Sequence, residues 1–311
     1  MNVYKSTTFA QVYKESLIDL YNNPDYETEP RGLKIKENIG VTLILENPQN
    51  CLYTSSVRSS QKKYIAAELL WYFIGTSNPD FISKYASFWN TIKDQFGEVN
   101  SAYGNLIFRS WNSYGLTQYQ WALTSLLRDK DTRQAILHFN TPKHQYLENK
   151  DFPCTLYGIF HIRNNKLHFT IHMRSNDAIW GLPTDLAFFT TLQSQMLNHL
   201  KGKYPELEIG VYTHVVDSLH IYERHFEVVD NLISSDLKSE SLPSVSLNLI
   251  DNEYGTYTNT FGALYKYVNY NSLDLVTRAF SEKKMPVPNN ILEIILKDPL
   301  FSWINQNINI L

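Results

Sequence analysis

The sequence predicts an α+β fold with a large, mainly antiparallel sheet covered by helices, and three observations point to it. Polar–apolar alternation marks residues 38–47, 152–163, 166–174 and 208–216 as strands. Apolar residues at helical spacing mark residues 9–21 as a helix, and residues 61–75 are strongly apolar and helix-prone. The chain is also rich in tyrosine and phenylalanine, 21 and 16 residues, which suits a wide packed sheet and a pocket for aromatic rings. At 311 residues and 43% apolar content it can bury a sizeable core, and it reads as a single domain over residues 1–311, with a divergent, mostly helical region from about residue 245.

Taken in order, Phe9, Val12, Tyr13, Leu17 and Leu20 fall on one side of a helix that Asn22-Asn23-Pro24 stops. Ile39, Val41, Leu43 and Leu45 then alternate along a half-covered strand. Residues 61–75 are strongly apolar and helix-prone, with Glu68 in the middle. A helix is expected over 79–93, a loop at Ser101-Ala102-Tyr103-Gly104-Asn105, a helix over 117–128 and a strand over 135–140. The segments 152–163 and 166–174 flank Asn164-Asn165 and read as a hairpin. A helix over 184–200, a strand over 208–216 and a helix running to about Leu232 follow. Residues 244–311 mix a short strand with two or three helices and a break at Met285-Pro286-Val287-Pro288.

Charge and cysteine usage narrow the class. A net charge of −3 and a pI near 6.3 argue against a nucleic-acid or membrane-surface partner, since both call for a cationic excess. A local phosphate pocket is compatible with that balance. Two cysteines, no apolar leader and no apolar run of about 18 residues suggest a reduced, cytoplasmic protein without structural disulfides. No glycine-rich dinucleotide or phosphate loop and no zinc spacing is present, so no metal is expected.

The candidate chemical residues each have a bland reading beside a functional one. Glu68 is either a carboxylate buried among Leu and Trp, which costs several kcal/mol by rough estimate unless paired or protonated, or a member of a solvent stripe. Cys154 follows Pro153 at the edge of a strand and is either an inert buried thiol or a presented nucleophile. Arg174-Ser175 at a strand end would hold a phosphate or a structural ion pair. The bland reading of Asp185 is an N-cap, since Thr184 or Asp185 would cap the helix that follows. His220 and Tyr222, two apart, share a face only if their backbone is extended.

The order and spacing of these features, namely Glu68 in an apolar helix, Tyr103-Gly104, Arg133, Asn140, Pro153-Cys154, Arg174-Ser175-x-Asp177, Gly181-Leu182-Pro183 and His220-x-Tyr222, together resemble the thymidylate synthase family over roughly residues 31–225. The resemblance implies that Cys154 is the nucleophile adding to C6 of a pyrimidine nucleotide, with 5,10-methylenetetrahydrofolate as co-substrate. It implies that Glu68 handles protons and water beside the base and that Tyr103 lines the pocket. Arg174, Ser175 and Arg133 would bind phosphate, the last across a homodimer interface. His220 and Tyr222 would hold the sugar hydroxyl, and Asp177 and Trp89 would serve the folate.

Three departures from the family pattern follow. Its paired arginines become Thr132-Arg133, leaving a phosphate contact to be supplied elsewhere, by Arg31 or Arg58. Its Gly-Asp before the sugar histidine becomes Asp217-Ser218. Asp185 stands where uracil-specific members carry asparagine. An amide matches the N3–H donor and O4 acceptor of uracil, whereas a carboxylate takes the amino proton of cytosine and can hold its N3 protonated. The expected substrate is therefore CMP or dCMP. The likeness is nearest to cytidylate hydroxymethylases, with methylation of the same carbon as the alternative. The tail Asn309-Ile310-Leu311 favours hydration, since in methylating relatives the tail helps exclude water. A cysteine hydrolase and a nucleotide-binding protein without turnover are the readings from other classes.

Overall fold

The structure, a computed structural model, describes residues 2–110, 112–245, 249–251, 256–258 and 298–309. Two compact units are distinguishable: Met1–Gln61, Cys154–Gln193 and Glu208–Leu242 form the first, and Lys62–Pro153, Ser194–Leu207 and Pro243–Leu311 the second.

The first unit is built on a sheet with strands in the order β1 (Val3–Ser6), β3 (Ile35–Leu45), β9 (Glu208–Tyr222), β7 (Lys166–Met173), β6 (Thr155–Arg163). Strand β2 (Tyr26–Thr28) adds to β3, and β8 (Asn176–Asp177) adds to β9. The long β3–β9 pairing is antiparallel from Ile35 opposite Tyr222 to Leu45 opposite Tyr212. The β6–β7 hairpin turns on Asn164 and Asn165 with φ of 50° and 58°, the left-handed pair that a two-residue turn requires and asparagine tolerates. β7 and β9 instead run parallel, because α6 (Gly181–Lys201) carries the chain back between them. Parallel pairing also joins β1 to β3 and β8 to β9, while the longer β3–β9 and β6–β7 ladders keep the sheet mainly antiparallel, as expected.

Helix α1 (Phe9–Asn22) closes one side of this unit with the predicted stripe, Phe9, Val12, Tyr13, Leu17 and Leu20 all fully buried. Burial of each such side chain stabilises by about 1.5–3 kcal/mol. Strand β4 (Leu52–Thr54), paired to β10 (Lys238–Glu240), sets the Tyr53 ring 4.9 Å from that of Tyr13. Helix α7 (Phe226–Ser234) packs on α1.

Strand β3 departs from simple alternation. Val41, Leu43 and Leu45 are buried as expected, but Ile39 is 49% exposed and Asn38 is buried instead. Gly40, at φ 67° between them, inverts the pleat, and the buried Asn38 uses its side-chain oxygen to accept the Asp25 N–H.

The second unit centres on α2 (Lys62–Ile74), in which every residue from Ile65 to Ile74 is buried, so it is a core helix with no solvent stripe. Around it lie α4 (Tyr103–Phe108), α5 (Gln118–Arg128), the short β5 (Ile136–His138) and α8 (Pro299–Ile308). Thr117 and Gln120 form a reciprocal capping box that starts α5. The helix predicted over 79–93 is broken into a 3-10 turn, Ile82–Lys84, and the single turn α3, Phe88–Thr91. Its Ser, Tyr, Asn and Thr residues favour helix weakly, and Trp89 is taken up edge-on by Trp71 at 4.8 Å. The loop expected at 101–105 runs into α4, because Asp151 accepts from both the backbone N–H and the hydroxyl of Ser101 and anchors the turn before it.

Helix α6 begins at Gly181, with Pro183 tolerated in its first turn, so Asp185 does not cap it as expected. β9 is also longer than predicted and carries His220 and Tyr222 on extended backbone. Of residues 244–311 the structure describes β11 (Leu249–Asp251) paired with β12 (Thr256–Thr258), and α8. The proline break at 285–288, the other expected helices and the last two residues of the tail lie outside the described residues. No helix among the described residues is long and apolar enough to cross a membrane.

Candidate active site

In the first unit, candidate residues gather where β7 ends. Cys154 is half-buried and immediately precedes β6; its carbonyl accepts the Arg174 backbone N–H at 2.9 Å across the hairpin. The Arg174 guanidinium Nη2 lies 3.5 Å from the Cys154 Sγ. A cation within hydrogen-bond reach of sulfur stabilises negative charge on it, the form that attacks carbon. Ser175, also half-buried, follows Arg174.

Two residues beyond Arg174, about 7 Å along an extended chain, stands Asn176. Its Nδ2 donates to Asp185 Oδ2 at 2.7 Å, so one strand end holds both the thiol's arginine and the partner of Asp185. Asp185 keeps a little accessible surface, but desolvation pushes its carboxyl up to about 7. The Asn176 bond pulls the other way, and the charge of Asp177 adds to the rise. Asn176 in turn contacts His214 Nε2 through Oδ1 at 3.1 Å, and His214 Nδ1 meets the Tyr212 hydroxyl at 2.8 Å. Sequence reasoning missed Asn176, His214 and Tyr212. Their signal was present in the alternation of β9, which puts Tyr212 and His214 on its buried face, where polar groups require partners.

Asp177 pairs in register with His220, and its Oδ1 accepts the backbone N–H groups of Ile179 and Trp180 at 2.7 and 3.2 Å, which shapes the turn into α6. His220 is buried, and burial lowers its pKa against the opposing pull of Asp177. Its ring stands edge-on to Tyr222 at 5.0 Å, so extended backbone does bring the pair together. Ser218, in the place of the family's aspartate, donates its hydroxyl to Glu37 Oε1. Trp180 is half-exposed, donates its indole N–H to His225 Nε2 at 2.8 Å, and lies beneath the Arg58 guanidinium at 4.3 Å. Arg31 sits in a 3-10 turn, Pro30–Gly32, at φ 55°.

The second unit gathers Glu68, Trp89 and Tyr103. Glu68 is 6% exposed, so the solvent-stripe reading is excluded. Its Oε1 accepts from the Tyr64 hydroxyl at 2.7 Å and from Tyr72 at 3.5 Å, while Trp89 donates its indole N–H to the Tyr64 oxygen at 3.0 Å. Tyr103 stacks on Tyr72 at 5.6 Å. Asn140 donates Nδ2 to the Pro153 carbonyl at 2.9 Å and so fixes the peptide leading to Cys154. Arg133 is exposed beside the buried Thr132.

Comparison with known proteins bears on what such an arrangement does. The family model described as "Thymidylate synthase" matches residues 11–279. The chain is 28% identical over 235 residues to the deoxycytidylate 5-hydroxymethyltransferase of Enterobacteria phage T6, covering 70% of this chain and 90% of that one. It is 28% identical over 218 residues to the enzyme of the same name from Enterobacteria phage T4, covering 67% and 83%. It is also 28% identical over 261 residues to the deoxyuridylate hydroxymethyltransferase of Bacillus phage SP01, covering 79% and 66%. The fold matches the solved structure of thermostable thymidylate synthase A from Bacillus subtilis with a TM-score of 0.63, at 21% identity over 86% of this chain and 93% of that one.

Proposed function

The chain belongs to the thymidylate synthase family and is a one-carbon transferase; from that premise we propose that it hydroxymethylates C5 of a cytidine monophosphate, CMP or dCMP, with 5,10-methylenetetrahydrofolate as donor. The observation that carries the reading is the Asp185 carboxyl, raised to about 7 and held on one oxygen by Asn176. A carboxyl that gains and loses a proton near neutrality can accept from the N4 amino group of cytosine and share a proton with N3. A site built on such bonds rejects a mismatched base by about 10⁴-fold or more, because the mismatch leaves buried polar groups unpaired.

In this reading Cys154 adds to C6, and the displaced electron pair makes C5 the nucleophile that takes the one-carbon unit. The folate supplies that carbon at the oxidation level of formaldehyde. Loss of the C5 proton and departure of tetrahydrofolate leave an exocyclic methylene; water adds to it, and the thiolate leaves C6. The Arg174 guanidinium beside Cys154 supports the thiolate, and as a group that does not take protons it favours addition over hydrolase chemistry with a histidine base. Arg174 and Ser175 bind the phosphate together with Arg133 from a second copy in a homodimer, and Arg31 or Arg58 supplies the remaining contact. His220 and Tyr222 hold the sugar hydroxyl. Glu68 handles protons and ordered water at the base, Tyr103 lines the pocket, and Asp177 and Trp89 serve the folate. The half-exposed Trp180 beneath Arg58, near the Asp177 turn, fits a flat ring with a carboxylate tail.

A second reading, deoxyuridylate as substrate, is favoured by the relative from phage SP01 and by the same carboxyl, because a neutral acid also complements the N3–H and O4 of uracil. Incubating the enzyme with methylenetetrahydrofolate and CMP, dCMP or dUMP, and weighing the product, tests all of this. Addition of CH2O to a cytidine nucleotide is expected. A methylated product with dihydrofolate overturns hydroxymethylation, and turnover of dUMP alone overturns cytosine.

A further inference from the structure

We propose that His214 and Asn176 are positioning residues that fix which oxygen of Asp185 carries its proton, and thereby set how strictly the base is chosen. The inference rests on the reading that Asp185 meets the pyrimidine. Its basis is a buried line of side chains: Tyr212 hydroxyl to His214 Nδ1 at 2.8 Å, His214 Nε2 to Asn176 Oδ1 at 3.1 Å, and Asn176 Nδ2 to Asp185 Oδ2 at 2.7 Å. Tyr212 and His214 have no accessible surface, and Asn176 has 4%.

The line has a direction. With its amide nitrogen toward Asp185, Asn176 turns Oδ1 to His214, so His214 must carry its hydrogen on Nε2 and accept on Nδ1, and Tyr212 must donate. Burial lowers the pKa of His214 to about 3, so the ring is neutral and has one N–H to give, and burial raises Tyr212 well above its usual value, so its hydroxyl keeps its proton. Every donor in the line therefore points toward Asp185. Oδ2 can only accept, and the titrating proton is confined to the other oxygen, where it is available to the base. Break the line at His214, and the Asn176 amide is free to turn over and take that proton inward. The charged and titratable groups that act on this line are Asp177 on Asp185, Asp185 and Cys51 on Tyr212, and His172 on His214.

The test measures binding of dCMP and dUMP by calorimetry between pH 5.5 and 8.5, and kcat/KM for both, in His214→Phe, His214→Gln, Tyr212→Phe and Asp185→Asn. His214→Phe is expected to lower the dCMP-to-dUMP preference about 10-fold and to shift the pH midpoint of dCMP binding. His214→Gln, whose amide can still donate to Asn176, should restore most of it, and Tyr212→Phe should move both readouts the same way by less. Equal losses for both nucleotides with an unchanged midpoint would mean a structural role and overturn the proposal. Should His214→Phe not fold, Tyr212→Phe decides by the same criteria. Asp185→Asn separates the two readings: if it leaves base preference untouched, the assignment of Asp185 to the base fails. If it changes preference while the His214 and Tyr212 variants do not, only the relay fails.

Discussion

Glu68 and Asp185 are both carboxyl groups drawn out of water, yet they are held in opposite ways. Glu68 accepts hydrogen bonds from within its own helix: Tyr64 and Tyr72, one turn before and one turn after, direct their hydroxyls at one oxygen. Asp185 depends on partners from other elements, with Asn176 nine residues away and His214 a further 38 from Asn176. Local holding follows from a spacing of four; distant holding exists only after β8, β9 and α6 have come together. The first kind should yield to substitution in small steps, and the second should fail at any link.

The comparison is broken or sharpened by variants, beginning with the largest expected loss. Cys154→Ala should remove turnover by roughly 10⁴-fold or more whichever carboxyl is intact, while nucleotide binding by calorimetry persists. If turnover survived, neither carboxyl would be serving thiolate chemistry. Glu68→Gln should lower kcat for both bases by about 10²–10³-fold, as removal of a proton-handling group does, with the dCMP-to-dUMP ratio unchanged. A changed ratio would give Glu68 the selecting role assigned to Asp185. Gly104→Ala bears on the scaffold beneath Glu68, since a Cβ there would sit 1.8 Å from the Tyr72 carbonyl oxygen. The helices must separate, and a loss of about 2–3 kcal/mol in urea unfolding is expected. Tyr64→Phe should cost about 1–2 kcal/mol and leave most of the turnover, because Tyr72 still reaches Glu68.

A further effect is a dependence on pH. The carboxyl of Asp185 is raised from 3.8 to about 7 in the folded protein, so its contribution to stability is fully present below pH 3.8 and is lost as pH climbs through 7. Asp185→Asn removes that loss. The variant should therefore gain more stability relative to the parent at pH 8 than at pH 5, read from urea midpoints. An equal difference at both values would place the carboxyl in ordinary, solvated surroundings.

What could be read from the residues alone follows the same division. The stripe of α1 and the hairpin on Asn164 and Asn165 were legible because each rests on a short period or a turn residue, and the core helix around Glu68 because its run is apolar and helix-prone throughout. The extent of β9 was not: its alternation continues to Tyr222, but Asp217 and Ser218 resemble a strand end in a sequence seen by itself. Asp185 drew attention as a helix cap or a base contact, and the start of α6 at Gly181 excludes the cap. Nothing local announced that Asn176, between two more conspicuous residues, joins it to His214. That link is a product of strand order, and single-sequence periodicity does not encode strand order.

The inverted pleat at Gly40 has a consequence for insertions and deletions. The inward row of β3 is broken there while its register with β9 stays continuous, from Ile35 opposite Tyr222 to Leu45 opposite Tyr212, because the β9 segment opposite, Asp217 and Ser218, is where that strand too exposes a residue between buried rows. Excising Gly40 would leave Asn38 inward and Ile39 outward by plain alternation, but it would slide the segment that faces His220 by one step against β9. Along this stretch of β3 the number of residues is therefore constrained more tightly than the side chains they carry.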